Sequence, residues 1–494
     1  MKPRGIPAVA AAVILAAVTG LAAATPGAAA VARAQAAAPG PRLSMLAATQ
    51  TVTAYKFKGQ PVYIDPNIWV VSGGSALRLD VQRTSYTSPA TVTQLISTPW
   101  GTTEHRTLPS WVNDNWNGLK DFIRFSVRNS HGKRVLSQSM TFCPDSYNPE
   151  RTMPSSASTD PYPQQCASDP FPVGQVWGIP QGWGVDPFQS FFKPVKLAVG
   201  KYRATETITA RYRKLFGIPA GAATASVRLK VVKSSFAASR ASSARLGKSR
   251  GQLGSLPHVP MMTRPPQAAL PQLTALPSWG ISTSSTRSHH DYLNFGATVW
   301  VGGNSPLDVE GFHVKGSSQL AAYQYFWRNG KVIGRARVGT MGFDSKKGHN
   351  HWHFEQFAKY QLLTAAKKLA VPSEKVGFCI APTDAVDLLL PHALWQPSFV
   401  GFSGQCGAPG ALWVREYMPI GWGDTYNQFK AGQAFDITNL PNGTYYVEVM
   451  ANPLHKLYEL SSAGNMSLRK VILGGTKGHR TVQVPAWNGI DPES

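Results

Sequence analysis

Gly348-His349-Asn350-His351-Trp352-His353 places three of the chain's 12 histidines at i, i+2 and i+4. Side chains alternate between faces along a β-strand, so on a strand all three imidazoles project from one side while Asn350 and Trp352 point to the other. Three imidazoles on one face suit copper or zinc and leave coordination positions open for water, dioxygen or substrate. The ligand types do not decide between the two metals. Metal binding alone does not establish catalysis, and a fortuitous surface cluster is the alternative.

A histidine strand needs a sheet to hold it, and the chain is rich in strand signals. Leu77, Leu79 and Val81 alternate with Arg78, Asp80 and Gln82. Ile123, Phe125 and Val127 alternate with Arg124, Ser126 and Arg128, and Val227, Leu229 and Val231 with Arg228 and Lys230. Gly200-Lys201-Tyr202 opens another strand. The 494 residues suffice for about three folded units. With 43% apolar and 15% charged residues the chain is neither disordered nor a long coiled coil, and Gly 45, Pro 38 and Trp 14 fit a loop-rich β protein. We expect an all-β protein with an N-terminal immunoglobulin-like β-sandwich over 45–233. Pro172 to Phe188, with Trp177 and Trp183, reads as a loop whose aromatics pack. The basic, Ser/Ala/Pro-rich stretch 234–275 reads as a flexible linker. Strands resume at Thr298–Val301 and Thr444–Val449, the latter after the turn Asn442-Gly443. Phe357 to Leu369 reads as a helix or as a strand plus a loop.

Lys2 and Arg4, the apolar stretch Ala8 to Ala24, and Ala32-Arg33-Ala34 form the pattern of a cleaved secretory signal peptide, 1–34. No later run is long and apolar enough to span a membrane. In an exported chain the even set Cys143, Cys166, Cys379 and Cys406 implies two disulfides. Three connectivities are open, of which the local one pairs Cys143 with Cys166 and Cys379 with Cys406. The net charge is +23; residues 1–34 carry +3 and 276–494 carry +4 of it, leaving +16 for 35–275. Outside the cell that basic half suits an anionic envelope polymer or a membrane surface rather than nucleic acid, with a merely solvated surface as the alternative.

The segment from His349 to Leu363, H-N-H-W-H-F-E-Q-F-A-K-Y-Q-L-L, resembles the copper-binding signature of the lysyl oxidase family. Two further segments resemble that family in order: Glu374-Lys375-Val376-Gly377-Phe378-Cys379 and Gly423-Asp424-Thr425-Tyr426. Asp436-Ile437-Thr438, Asn452-Pro453, Glu459 and Asn465 follow the same pattern. The resemblance covers about 276–475 and implies a lysyl oxidase-like β-sandwich over 276–480. It implies a copper amine oxidase with His349, His351 and His353 on copper and a lysine tyrosylquinone formed from Lys375 and Tyr426. The implied reaction converts primary amines, small or peptidyl lysine, to aldehydes with dioxygen as oxidant, releasing hydrogen peroxide and ammonia. Asp424, two residues before Tyr426, is the candidate general base by proximity, and Glu355 a candidate to orient a ligand histidine. The sequence departs from the family in having only Cys379 and Cys406 in this half, in Gly348 and Trp422 standing where the family has cysteines, and in a longer stretch between Lys375 and Tyr426. The competing readings are a non-catalytic metal-binding surface module and a zinc-dependent hydrolase. Both leave Lys375 and Tyr426 without a role.

Overall fold

The computed structural model describes residues 40–98, 101–167, 169–188, 194–233, 259–314, 316–345, 351–355, 357–373, 375, 377–397, 406–407, 410–430 and 432–490. The expected signal segment 1–34, the 234–258 part of the expected linker and His349 lie outside them.

The alternating segments become strands with their apolar side chains buried: Leu77–Gln82, Leu119–Asn129, Gly200–Ile208 and Thr224–Lys233. Among the described residues the chain is all-β apart from a short helix, Ala210–Phe216, and brief 3-10 turns. The first half holds two four-stranded sheets and a five-stranded sheet in the order Thr51–Lys56, Thr224–Lys233, Gly200–Ile208, Leu119–Asn129, Arg134–Phe142. They share a core that includes Leu79, Phe122, Phe125, Trp177 and Leu229.

Three sheets form the second half. In the first, Asp291–Gly303 lies between Pro271–Ala275 and Trp422–Tyr426, and the latter also pairs with Asp384–Ala385. In the second, His351–Phe354 follows Lys331–Asp344, Leu320–Arg328, Leu307–His313 and Trp413–Met418. The third runs Leu369–Pro372, Ala358–Thr364, Gly443–Ala451, Met466–Thr476, His479–Gln483.

Two expectations are corrected. Pro172 to Phe188 is not a loop: it contains the strands Gly174–Ile179 and Trp183–Val185. All six residues of Gly174–Ile179 are buried, so no alternation marks the strand, and the glycines that read as breakers are packing positions. A Cβ at Gly178 would overlap the Tyr162 ring. Trp177 and Trp183 are packed in the core, as expected. The linker is also shorter than expected. Met261 bridges to Arg335 and Pro271–Ala275 pairs with Asp291–Gly303, with Leu273 and Ala275 buried. Proline-rich composition hid that short period-2 pattern. Phe357 to Leu369 resolves as the strand Ala358–Thr364 followed by a turn.

The halves are joined through backbone. Val173 N–H donates to Val386 O at 2.7 Å, Leu388 N–H to Gly174 O at 2.8 Å, and Gln175 Nε2 to Ala385 O at 2.8 Å. Phe171, Leu276 and Val386 bury one another beside Trp487. Both local disulfides form, with Cα separations of 5.8 Å for Cys143–Cys166 and 5.6 Å for Cys379–Cys406.

Asp169 is a buried carboxylate at this junction. It accepts from Phe171 N–H at 2.6 Å and from Thr298 Oγ1 at 2.8 Å across the two halves. Burial, with Asp384 nearby, pushes its pKa up to about 7. The folded chain therefore holds a proton that the unfolded chain releases near pH ~4. That contribution to stability is full below about pH 4 and is lost as pH rises through 7. Calorimetric melts should fall over this window, and Asp169→Asn, whose oxygen can still accept from Phe171 N–H while its amide donates to Thr298 Oγ1, should flatten part of the fall.

Candidate active site

His351–Phe354 runs antiparallel to Lys331–Asp344, with His353 opposite Gly342 and His351 opposite Asp344. Trp352 and Phe354 are core residues, so the alternation sends His351 and His353 to the other face together. Their Nε2 atoms stand 2.9 Å apart, His353 buried and His351 half-buried. Two nitrogens at metal bonds of ~2.0–2.1 Å lie about 2.9 Å apart when they subtend a right angle, and farther apart around a tetrahedron. The pair fits a tetragonal ion such as copper, and the same separation serves an N–H···N hydrogen bond without metal. Asp344 Oδ2 lies 3.9 Å from His353 Nδ1.

Glu355 takes a different place from the one expected. Its Oε2 accepts from Thr340 Oγ1 at 2.9 Å and its Oε1 from Gln319 Nε2 at 3.4 Å. It sits in the turn after the strand, where alternation no longer holds it on the histidine face. Asp344, which the sequence reading did not single out, is the carboxylate beside a histidine.

The free edge of the histidine strand is pinned at two points. Phe354 exchanges backbone hydrogen bonds with Phe378 at 2.8 and 3.1 Å, and Trp352 N–H donates to Cys406 O at 2.9 Å. The Cys379–Cys406 bridge ties these two anchors together. Close by, a Cβ on Gly377 would come within 2.8 Å of His353 Cβ. Gly377→Ala should push His353 off its position and weaken copper binding by about 10–100-fold, as loss of a residue that orients a ligand does. A metal titration of the folded variant would measure it.

Trp422–Tyr426 pairs with Asp291–Gly303, with Tyr426 opposite Ala297 and Asp424 opposite Val299. Period 2 puts Asp424 and Tyr426 on one face and Thr425 on the other. The Tyr426 hydroxyl accepts from Cys379 N–H at 2.9 Å and donates to Cys379 O at 3.1 Å. Lys375, buried, places Nζ 4.1 Å from the Tyr426 ring centroid and 4.9 Å from that of Phe378. Lys375 N–H donates to Ser373 Oγ at 3.0 Å, and Gly432, at φ +82°, lets the chain pass close beside the lysine. Lys375, distant in sequence, thus meets Asp424 and Tyr426 in one place. Cys379 is the common node: its backbone holds the phenol, and its sulfur holds the anchor of the histidine strand.

Electrostatics here are set by burial. The Tyr426 phenol is pushed well above its ordinary value by desolvation, then by Asp424 and Tyr360. Asp424 is raised by desolvation, with Lys375 opposing and Asp384 adding to the shift, and its Oδ2 has no hydrogen-bond partner. Glu416, raised likewise, accepts from Ile380 N–H at 3.1 Å. On the reverse face Thr425 Oγ1 meets Thr298 Oγ1 at 2.8 Å, and Thr298 donates to Asp169. The first half therefore backs the strand that carries Asp424 and Tyr426, a link that no sequence spacing announces. Cys143, Asp145 and Cys166 also cluster, but their two sulfurs are bonded to each other and offer no thiolate.

Residues 319–481 match the lysyl oxidase family model. The matched segment takes in both described histidines, Lys375, Asp424 and Tyr426, in agreement with the resemblance carried by the three motifs. Over 138 residues the chain is 26% identical to lysyl oxidase homolog 4 of Bos taurus and of Homo sapiens, and 28% identical to that of Mus musculus. Each match covers 28% of this chain and 16% of the relative. The chain thus spans a small part of the length of these relatives.

Proposed function

We propose that residues 276–480 act as a copper-dependent amine oxidase of lysyl oxidase type, in which a primary amine, dioxygen and water give an aldehyde, hydrogen peroxide and ammonia. The observation that carries this reading is the Lys375 amine 4.1 Å from the Tyr426 ring centre, fixed through Cys379 to the histidine strand. A metal-binding module or a zinc hydrolase has no use for that pair. His349, His351 and His353 would hold the copper. Copper with dioxygen would supply the oxidation of the phenol, and a lysine tyrosylquinone built from Lys375 and Tyr426 would supply the electrophilic carbonyl for the amine.

The protein's own residues set position and proton traffic. The two Cys379 contacts fix the phenol oxygen, so the ring cannot turn away from Lys375. Phe378 packs edge-on against Tyr426 at 5.4 Å and keeps that contact apolar. Asp424 shares the face of Tyr426 and takes the proton from the substrate's α-carbon. With its acidity weakened by burial, it serves as a base only as pH rises, so turnover should climb with pH. Asp424→Asn should lower kcat by about 10²–10⁴-fold while leaving copper and the Lys375–Tyr426 cross-link in place.

The chain as a whole reads as exported behind the 1–34 segment, consistent with two formed disulfides. Among the described residues no helix is long and apolar enough to cross a membrane. In this reading residues 45–233 form an immunoglobulin-like module that tethers the enzyme to an anionic envelope polymer. The direct test is peroxide release from a panel of primary amines by the full chain loaded with copper, loaded with zinc, or metal-free. Turnover with copper alone is expected. Peroxide release that ignores copper, or none with any amine, would remove the proposal.

A further inference from the structure

The five-stranded sheet of the first half turns one face to the core and the other outward. On the outward face the register stacks like charges side by side. Arg134 pairs with Arg128, Arg128 with Arg203, and Arg203 with Arg228, so four arginines form one row across four strands. Two residues along, Lys201 stands opposite Lys230. All six are exposed. Ser126, Thr205 and Ser226 form the next row, so hydroxyls flank the cations. The buried Glu206 belongs to the inner face. Among the described residues none of the six cations is paired with a carboxylate. The contacts they make are to neutral groups: Arg228 to Thr51 and Gln50 at 3.2 Å, and Arg128 to Gly132 O at 2.7 Å.

Like charges directly opposite one another destabilise a sheet, and neighbouring strands are only ~4.8 Å apart. Guanidinium groups cannot relieve this by losing a proton. Four aligned arginines therefore work against the fold unless something outside it supplies the counter-charge. The row spans three strand spacings, about 14 Å, enough for a few successive anionic groups. Arginine forks match phosphate oxygens two at a time, and serine and threonine hydroxyls add further donors. The outward face of Leu119–Asn129, Gly200–Ile208 and Thr224–Lys233 carries no aromatic side chain, and the exposed Tyr55 stands at the sheet's edge opposite Val232, four residues along from Arg228, so the arginine row itself offers bases no run of stacking platforms.

We propose that this face docks a linear phosphodiester polymer of the cell envelope, its phosphates following the row Arg134–Arg128–Arg203–Arg228 with Lys201 and Lys230 beside it. The inference rests on the tethering reading above and gives it an address. The test uses the full chain and immobilised poly(glycerol phosphate). The wild type should be retained and should elute with salt. Arg203→Ser/Arg228→Ser should bind about tenfold more weakly or worse, with a salt slope smaller by about two. Its melting temperature should hold or rise, because opposed charges have gone. Lys470→Ser/Lys477→Ser, an equal loss of charge at exposed positions in the other half, should bind as the wild type does. Failure of the wild type to bind would overturn both the tether and this face. A retained wild type with an equally retained arginine variant, or with an equally weakened lysine control, would overturn the face alone. Equal or tighter binding of single-stranded DNA would overturn the assignment of the polymer.

Discussion

Tyr426→Phe should give a folded protein that binds copper yet forms no quinone, no cross-link to Lys375 and no aldehyde from any amine. The variant keeps the ring against Phe378 and removes only the phenol oxygen, without which the ring cannot be oxidised to a quinone. It also strips Cys379 N–H and O of their partner, which costs about 1–3 kcal/mol of stability in a buried site. Lys375→Ala should likewise lose the cross-link while leaving metal bound, and His351→Ala should lose copper and the cross-link together. Peptide mapping of aerated, copper-loaded wild type should recover Lys375 and Tyr426 covalently joined, with absorbance that phenylhydrazine traps. The lysine already stands 4.1 Å from the ring centre, so the joining needs no rearrangement of the fold. Amine turnover that survives in Tyr426→Phe would falsify the cofactor assignment.

The second large effect belongs to Cys406→Ser. Closing a loop of this length stabilises a chain by roughly 3 kcal/mol in the chain-entropy model, and that contribution should vanish from the melt. The consequence for the site is more specific. Cys406 O anchors Trp352 N–H, and the bridge partner Cys379 holds the Tyr426 phenol. The variant should therefore lose copper affinity and cross-link yield together. Cys143→Ser, which breaks the bridge of the other half, should lower the melting temperature without touching either. Equal loss of copper in the two variants would show that Cys379–Cys406 stabilises the fold at large rather than the site.

The chemistry was more legible in the sequence than the architecture around it. Histidines at i and i+2 can only share a face if they lie on a strand, so His351 and His353 could be paired from spacing alone. Leu77–Gln82 and Thr224–Lys233 showed themselves because one face is wet. Gly174–Ile179 did not, because a strand buried on both sides has no alternation to read. Pro271–Ala275 was lost among prolines. Lys375 and Tyr426 were linked by motif order, but their distance depends on the ladder between Trp422–Tyr426 and Asp291–Gly303 and on the Cys379 backbone. Neither leaves a side-chain signature. Glu355 leaves the histidine face for a related reason: one residue beyond a strand, alternation no longer sets its direction, and Asp344 from the neighbouring strand takes the position beside His353.

The strand that carries Tyr426 borrows its neighbour from outside the segment that matches the family model. The family match starts at residue 319, yet Asp291–Gly303 lies before it and Asp169 earlier still. A gene fragment cut at the match would encode a tyrosine strand with its main hydrogen-bonding edge bare and with Val386 stripped of the cover of Phe171 and Leu276. Such an edge invites pairing with other chains, so the fragment should precipitate rather than fold. For anyone transplanting this chemistry into another scaffold, the smallest transferable unit is set by that ladder and not by the extent of sequence kinship.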